Sequence, residues 1–399
     1  MISAKTKVIS ALGAVQILTW GSTFYLMAPL SGPISAATGW SMGFLSAGVS
    51  LALLVSGIAA PYIGRWIGRT GGRQTLAAGV VLVALGLAML GLSQGPVTYL
   101  AAWAIMGLGM SCCLYDAAFS TLGTLYGREA RAAITQLTLW GGFASTVCWP
   151  LTAWAMESLG WRATCLMYAG IHLGLTLPLC LVFLPRSRAR APVPSRGTAR
   201  VTAQVTAAPV GTLDLRFLCI VAAGITLSML STIWSVHMVT ILTAGGLSLA
   251  AAIGLGALIG PSQVGARVLE MLGRGRHHPI WTLGISTALV LVGFGGLQFG
   301  LPAALALIAY GGGNGLWSIA RGALPLALFG EDGYAATMGR LARPMLFAGA
   351  AAPSVGGLMI ERLGPDRTMT ALAVLALIPV VAAVVLTVRV ARDRRGLPA

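Results

Sequence analysis

The chain has 399 residues, of which 57% are hydrophobic and 9% charged. Too few polar side chains are available to cover a water-soluble globule, and too many apolar ones for a disordered chain. The net charge of +16 falls in short arginine blocks between apolar stretches. It forms no continuous basic face, which argues against a nucleic-acid partner and matches the basic inner loops of a membrane protein.

A membrane crossing uses about 20 apolar residues, so the length accommodates about twelve helices with short connections. Apolar segments lie at about 8–30, 40–62, 74–93, 97–126, 132–156, 163–184, 215–242, 248–271, 280–299, 302–328, 340–360 and 368–390. Strand-type alternation is lacking, so the expected fold is an all-α integral membrane protein and not a β-barrel. Lys5 and Lys7 precede the first apolar run, which is too long for a signal-peptide core and is read as a retained helix. Nearly all Lys and Arg fall in the tails and in the loops near Arg65, Arg128, Arg186, Arg274 and Arg340. That side is expected to be cytoplasmic, with both termini on it.

Span one carries Gln16, Trp20 and Thr23 on one face. Arg65, Arg69 and Arg73 follow span two, where they could bind helix C-terminal carbonyls or acids of a neighbouring helix, or simply fix topology. Asp116 lies in span four, about 16 Å from its end at helical rise and so near the bilayer centre. Cys112 lies one turn away from it. The pair Cys112-Cys113 is read as packing, with a soft metalloid ligand as the alternative. Pro150 in span five predicts a kink. The stretch 185–212 holds five arginines and four prolines and reads as a flexible cytoplasmic linker. It divides the chain into halves at 1–184 and 213–390, with a tail at 391–399.

In the second half, His237 lies in span seven and is either a titrating group or a hydrogen-bonded packing residue. Arg267 and Glu270, spaced i, i+3 near the end of span eight, are expected to pair with each other as gate or structure. Tyr310, Asn314, Trp317 and Arg321 share one face of span ten, and Arg321 is about 13 Å deep. A hydroxyl, amide, indole and guanidinium in line are out of place toward lipid and suit a wet cavity binding an anionic or aromatic solute. Asp116 is the expected proton-coupling acid, since a substrate arriving between it and Arg321 would alter the balance of burial and opposite charge that sets its protonation. The alternative is a static Asp116–Arg321 pair that stitches the halves together.

The halves also resemble each other, at an offset of about 200 residues. Leu125-Tyr126-Gly127 matches Leu328-Phe329-Gly330, Pro150 matches Pro353, and Pro61 and Arg65 match Pro261 and Arg267. The segment Gly64-Arg65-Trp66-Ile67-Gly68-Arg69-Thr70-Gly71-Gly72-Arg73 is similar to the loop signature G-x-x-x-D-R-x-G-R-R of the major facilitator superfamily. Gly68 stands where that family carries an aspartate, while the second-half copy keeps Glu270. This resemblance implies two pseudo-symmetric six-helix bundles, alternating access, and a cavity lined by spans one, four, seven and ten. It also implies a latching role for the Arg65 to Arg73 loop.

No nucleophile motif, metal-ligand cluster or ATP-binding loop occurs, so neither an enzyme, a metal nor another cofactor is expected. The six cysteines lack C-x-x-C spacing, which argues against a disulfide framework. The leading expectation is a monomeric transporter exporting a small organic solute in exchange for protons. Its alternatives are uptake or exchange of a small carboxylate and export of a trivalent metalloid or arsenical. Abundant Ala, Gly and Arg suggest a bacterial source and so the cell inner membrane.

Overall fold

The computed structural model describes residues 3–186, 214–273 and 276–395. The linker expected at 185–212 falls, beyond its first two residues, outside this set, as do Arg274 and the last residues of the tail. Among the described residues the chain is helical, without strands.

In the first half, α1 (Ala4–Ser22) and α2 (Met27–Thr38) follow one another across a break, then α3 (Met42–Thr70) and α4 (Gly72–Gly91). Next come α5 (Pro96–Cys113) and α6 (Tyr115–Tyr126), which meet at Leu114, and α7 (Ala130–Gly141) and α8 (Ala144–Ile171). The last of these turns at Gly160, whose φ of 78° is left-handed, and leads through a π-helical turn to α9 (Leu177–Phe183). The second half runs through α10 (Leu215–Ala244), α11 (Leu249–Gly256), α12 (Ile259–Leu272), α13 (Pro279–Gln298) and α14 (Ala303–Phe329). It closes with α15 (Tyr334–Leu363), α16 (Pro365–Leu375) and α17 (Leu377–Arg395).

Among the described residues, nine segments are long and apolar enough to cross a bilayer. The expected twelve crossings follow if 130–183 crosses twice, turning at Gly160, and if α14 and α15 each cross once. Both of those helices are long enough, but α14 is rich in glycine and α15 carries Arg340 and Arg343. The kink expected at Pro150 is displaced. The rod breaks at Gly142 and Phe143, while Pro150 sits inside continuous helix.

Each half has its own apolar core. One cluster runs from Val8 to Leu184 and takes in only a few second-half residues, such as Tyr334 and Met338. The other lies wholly between Phe217 and Leu386. Outward-facing Trp66, Leu85, Val182, Leu269 and Val381 stay exposed, as lipid-facing residues do.

The halves meet toward the end that carries Lys5, Arg65, Arg131 and Arg340, here called the basic end. There α3 crosses α15 at close range. A Cβ on Gly64 would lie 2.3 Å from the Ala335 carbonyl, and one on Gly339 would lie 2.3 Å from that of Ala60. Small residues permit this because two backbones approach only where side chains are missing. Nearby, Gly123 faces the Tyr334 ring and Gly322 faces Phe119 and Ile134. Toward the far end, α2, α8, α10 and α11 make no substantial contact across the halves among the described residues. Contact between the halves is therefore concentrated on α3, α6, α7, α12, α14 and α15, toward the basic end.

This crossing yields a prediction. Gly64→Leu should force α3 from α15, lowering thermal stability in detergent by several degrees and exposing a cysteine introduced at Ala335 to a water-soluble maleimide. An unchanged melting point with a protected cysteine would contradict the close crossing.

Candidate functional site

The backbone breaks of the first half gather around its central residues. Thr23, with φ −122° and ψ −87°, ends α1. Leu114 is extended and separates α5 from α6. In lipid, a broken helix needs its freed backbone groups satisfied by protein. Gln16 does this at the second break, where its Nε2 donates to the Cys113 carbonyl at 2.7 Å. Thr23 Oγ1 donates to the Thr19 carbonyl at 2.5 Å. Beside them Trp20 packs against Tyr115 at 5.2 Å and Phe24 at 5.7 Å, and Tyr115 stacks on Phe119 at 5.1 Å. The Trp149 indole donates to the Tyr25 carbonyl at 3.2 Å.

The break at Leu114 places Asp116 in the first turn of α6, where the helix dipole favours a carboxylate. Its Oδ2 accepts from Arg321 Nη2 of α14 at 2.6 Å, an ion pair that joins the halves. Side-chain exposures are 19% for the acid and 17% for the arginine, so water screens the pair little. The pairing is incomplete. Asp116 Oδ1 and Arg321 Nε are buried without a partner, as are Trp20 Nε1 and Gln16 Oε1. Among the described residues, four of the seven buried unpartnered side-chain atoms thus belong to residues that the sequence pattern singles out. Buried polar groups rarely stay unpaired, and here four such atoms fall on α1, α6 and α14.

A second guanidinium enters from the other half. Arg267 is 5% exposed. Its Nη1 donates to the Thr138 carbonyl of α7 at 2.9 Å, its Nε to the Gly315 carbonyl at 3.3 Å and its Nη2 to Gln263 Oε1 at 3.3 Å. All three acceptors are neutral. The expected pairing with Glu270 does not occur. Arg267 points from α12 toward α7 and α14, whereas the Glu270 carboxylate turns to Arg131 at 3.5 Å, His277 at 3.1 Å and Thr282 at 2.9 Å. An i, i+3 spacing permits a pair, but the flanking helices here offer each residue better partners. Gly141 and Gly142 make the room. A Cβ on Gly142 would lie 2.4 Å from Arg267 Nη1, and one on Gly141 would lie 2.0 Å from the Tyr115 hydroxyl. Tyr115 also donates to the Thr138 carbonyl, at 3.4 Å. Adjacent residues of α6 therefore face different cations, Tyr115 toward Arg267 and Asp116 toward Arg321.

The other predicted residues divide. Tyr310 lies at 5.3 Å from Phe294 and 6.3 Å from Trp234, inside the second half's aromatic cluster. Trp317 is buried and Asn314 half-buried on the same helix face. His237 stands apart from the ion pair and donates from Nε2 to the Pro353 carbonyl at 2.9 Å, within the second half. Arg65 rests on the Tyr62 ring, and Arg73 donates to the Leu181 carbonyl at the end of α9. Neither they nor Arg69 reach across the halves among the described residues. Glu270 does, through Arg131, whose Nη1 also donates to the His277 carbonyl. Cys112 and Cys113 pack against Gly79 of α4 within the first half. Among the described residues no three His, Cys, Asp or Glu converge as for a metal. Tyr115, Thr138, Arg131, His277 and Gln263 were not singled out from sequence. The Gln263–Arg267 spacing of i, i+4 and the Gly141-Gly142 pair were the available signals.

Residues 12–342 match the model of the Major Facilitator Superfamily. The structure is similar to the human organic anion transporter MFSD10 (TM-score 0.73, 16% identity, 96% of this chain and 100% of that one). It is also similar to the E. coli fucose:proton symporter FucP (TM-score 0.72, 12% identity, 96% of this chain and 99% of that one). FucP in the outward conformation superposes with a TM-score of 0.75 at 10% identity, covering 96% and 99% of the two chains. In sequence, 141 residues are 32% identical to human monocarboxylate transporter 6, which is 35% of this chain but only 26% of that protein.

Removing one partner of a buried pair costs about 3–5 kcal/mol, because the other charge is stranded. Asp116→Ala should therefore lower stability in detergent by that order. The double variant Asp116→Ala, Arg321→Met should recover most of the loss in thermal melts. Additive losses in the double variant would show that the two groups do not depend on each other.

Proposed function

The chain belongs to the major facilitator superfamily, and from that premise we propose that it carries a small monovalent organic anion together with one proton by alternating access. In this reading residues 1–184 and 213–390 are the rocking bundles, 185–212 their linker and 391–399 a tail. They span the inner membrane twelve times as a monomer, with both termini and the basic end cytoplasmic. The structure then corresponds to the outward-facing state.

The observation that carries the anion is Arg267, a buried guanidinium held only by neutral acceptors. Asp116 pairs with Arg321, and the buried Arg267 pairs with no carboxylate among the described residues, which leaves one positive charge uncompensated. A buried net charge is costly, and one monoanion neutralises it. Two of the five guanidinium N–H groups of Arg267 have no partner among the described residues, which leaves donors suited to a carboxylate. The aromatic wall of Trp20, Tyr115 and Phe24 suits a small organic body beside it. The fold shared with an organic anion transporter and a fucose:proton symporter, and the segment similar to a monocarboxylate transporter, agree with this reading.

Asp116 supplies the coupling. While Arg321 is bound to it, the carboxylate stays ionised. An anion that draws Arg321 toward itself leaves Asp116 in a poorly solvated site, where it takes up a proton. With anion and proton both aboard, the site carries the same net charge as when empty. Loaded and empty carriers then bear the same single positive charge in rocking, the proton alone adds a second one, and the anion alone leaves every charge paired across the halves, which resists the parting of the bundles. That asymmetry is the physical basis of obligatory coupling. The Glu270–Arg131–His277 cluster holds the basic end shut between turnovers.

Proteoliposomes with an imposed pH gradient test this, using acetate, pyruvate and lactate as probes. Uptake of at least one should follow the gradient. Arg267→Gln should reduce it by more than tenfold. Asp116→Asn should abolish gradient-driven accumulation while keeping anion exchange at equal pH. Failure of all three probes, or gradient-driven accumulation by Asp116→Asn, would contradict the reading.

A further inference from the structure

The second oxygen of Asp116, Oδ1, makes no hydrogen bond to Arg321. A small cavity of about 10 Å³ lies between α3, α6 and α15, lined among others by Ser56, Gly64, Ser111, Asp116, Ser120 and Gly339. That volume suits about one water, which needs two to four polar partners. The lining supplies them. Asp116 Oδ1 is buried without a partner. Ser56 is 3% exposed and lines the cavity with its hydroxyl-bearing side chain. Ser111 and Ser120 donate to the Leu108 and Asp116 carbonyls at 2.7 and 2.6 Å, which leaves their oxygens free to accept.

The cavity is separated from the basic end by a small plug. Ile67, Ala117 and Ala335 form a compact apolar cluster of their own, with Ile63 packed on it. Ile67 comes from α3 and Ala335 from α15, so the plug belongs to both halves. It lies at the crossing where Gly64 and Gly339 bring the two backbones together. Whatever parts α3 from α15 removes it.

The geometry points to this chamber as a water-binding proton exit from Asp116, separate from the region beside Arg267, Trp20 and Tyr115 proposed above for the anion. The inference rests on the coupling role of Asp116 proposed above and adds its route. One water bridges Asp116 Oδ1 and the Ser56 hydroxyl. When the halves part at the basic end, the Asp116 carboxyl gives its proton to that water. The water passes one of its own protons on past Ser56, and the proton leaves as hydronium in the bulk phase. Asp116 remains as a carboxylate and regains Arg321. In the closed state the plug blocks the same route, so proton release is tied to the rocking motion by packing alone.

Valine and threonine are nearly isosteric at position 56 and differ in the hydroxyl, so the pair separates chemistry from volume. The full chain, reconstituted in lipid, is followed by infrared spectroscopy after a pH jump. The Asp116 carboxyl band is identified by its loss in Asp116→Asn. Ser56→Val should slow the deprotonation of Asp116 at least tenfold, and Ser56→Thr should leave it within about twofold of the parent. Deprotonation at the parent rate in Ser56→Val, or equal slowing in both variants, overturns the chamber as the route while leaving the coupling role of Asp116 intact. A parent protein with no Asp116 band that responds to pH overturns the coupling role, and the chamber with it.

Discussion

Two guanidinium groups and one carboxylate, buried where the halves meet, set the terms for the rest of the molecule. Asp116 and Arg321 come from opposite halves and bind at 2.6 Å. Arg267 lies near by with no acid of its own. Charges so placed are costly to leave unpaired, and their pairing depends on the relative position of the bundles. Motion of the halves and the pairing of Asp116 with Arg321 are thereby made interdependent. The remainder of the fold keeps these groups out of bulk water and out of lipid.

Backbone irregularity is how the sequence delivers the groups. A continuous α-helix through Leu114 would not present Tyr115 and Asp116 at a helix start. A side chain on Gly141 or Gly142 would occupy the space of the Tyr115 hydroxyl or the Arg267 guanidinium. Each break needs compensation, and Gln16, donating to the Cys113 carbonyl, supplies it at α5–α6. The apparent weaknesses of these helices are therefore the means by which polar side chains converge. At the basic end the opposite device operates, since glycines at 64 and 339 let α3 and α15 close without polar contact.

Much of this was legible in the residues. Hydropathy gave the helical fold and the two halves, because lipid demands long apolar segments whatever else they do. The rarity of intramembrane charge drew attention to Asp116 and Arg321, and helical spacing aligned Arg321 with Tyr310, Asn314 and Trp317. What periodicity does not encode is which neighbour a side chain prefers. Arg267 and Glu270 have the spacing of a pair, yet α7 and α14 take one, and Arg131, His277 and Thr282 take the other. His237 likewise looks like a lone titrating group until the Pro353 carbonyl is found beside it. The breaks at Thr23 and Leu114 carry no glycine or proline at the break itself, so local propensity does not reveal them. At Leu114 the compensating partner comes from another element, since Gln16 of α1 donates to the Cys113 carbonyl.

The central claim is that the site carries equal net charge when empty and when it holds one anion with one proton. Proteoliposomes clamped with potassium and valinomycin, in which proton and lactate fluxes are recorded together, test it most directly. The account predicts one proton per lactate and a rate that follows the pH gradient but not the membrane potential. Transport driven by potential alone, or a ratio other than one, would contradict it.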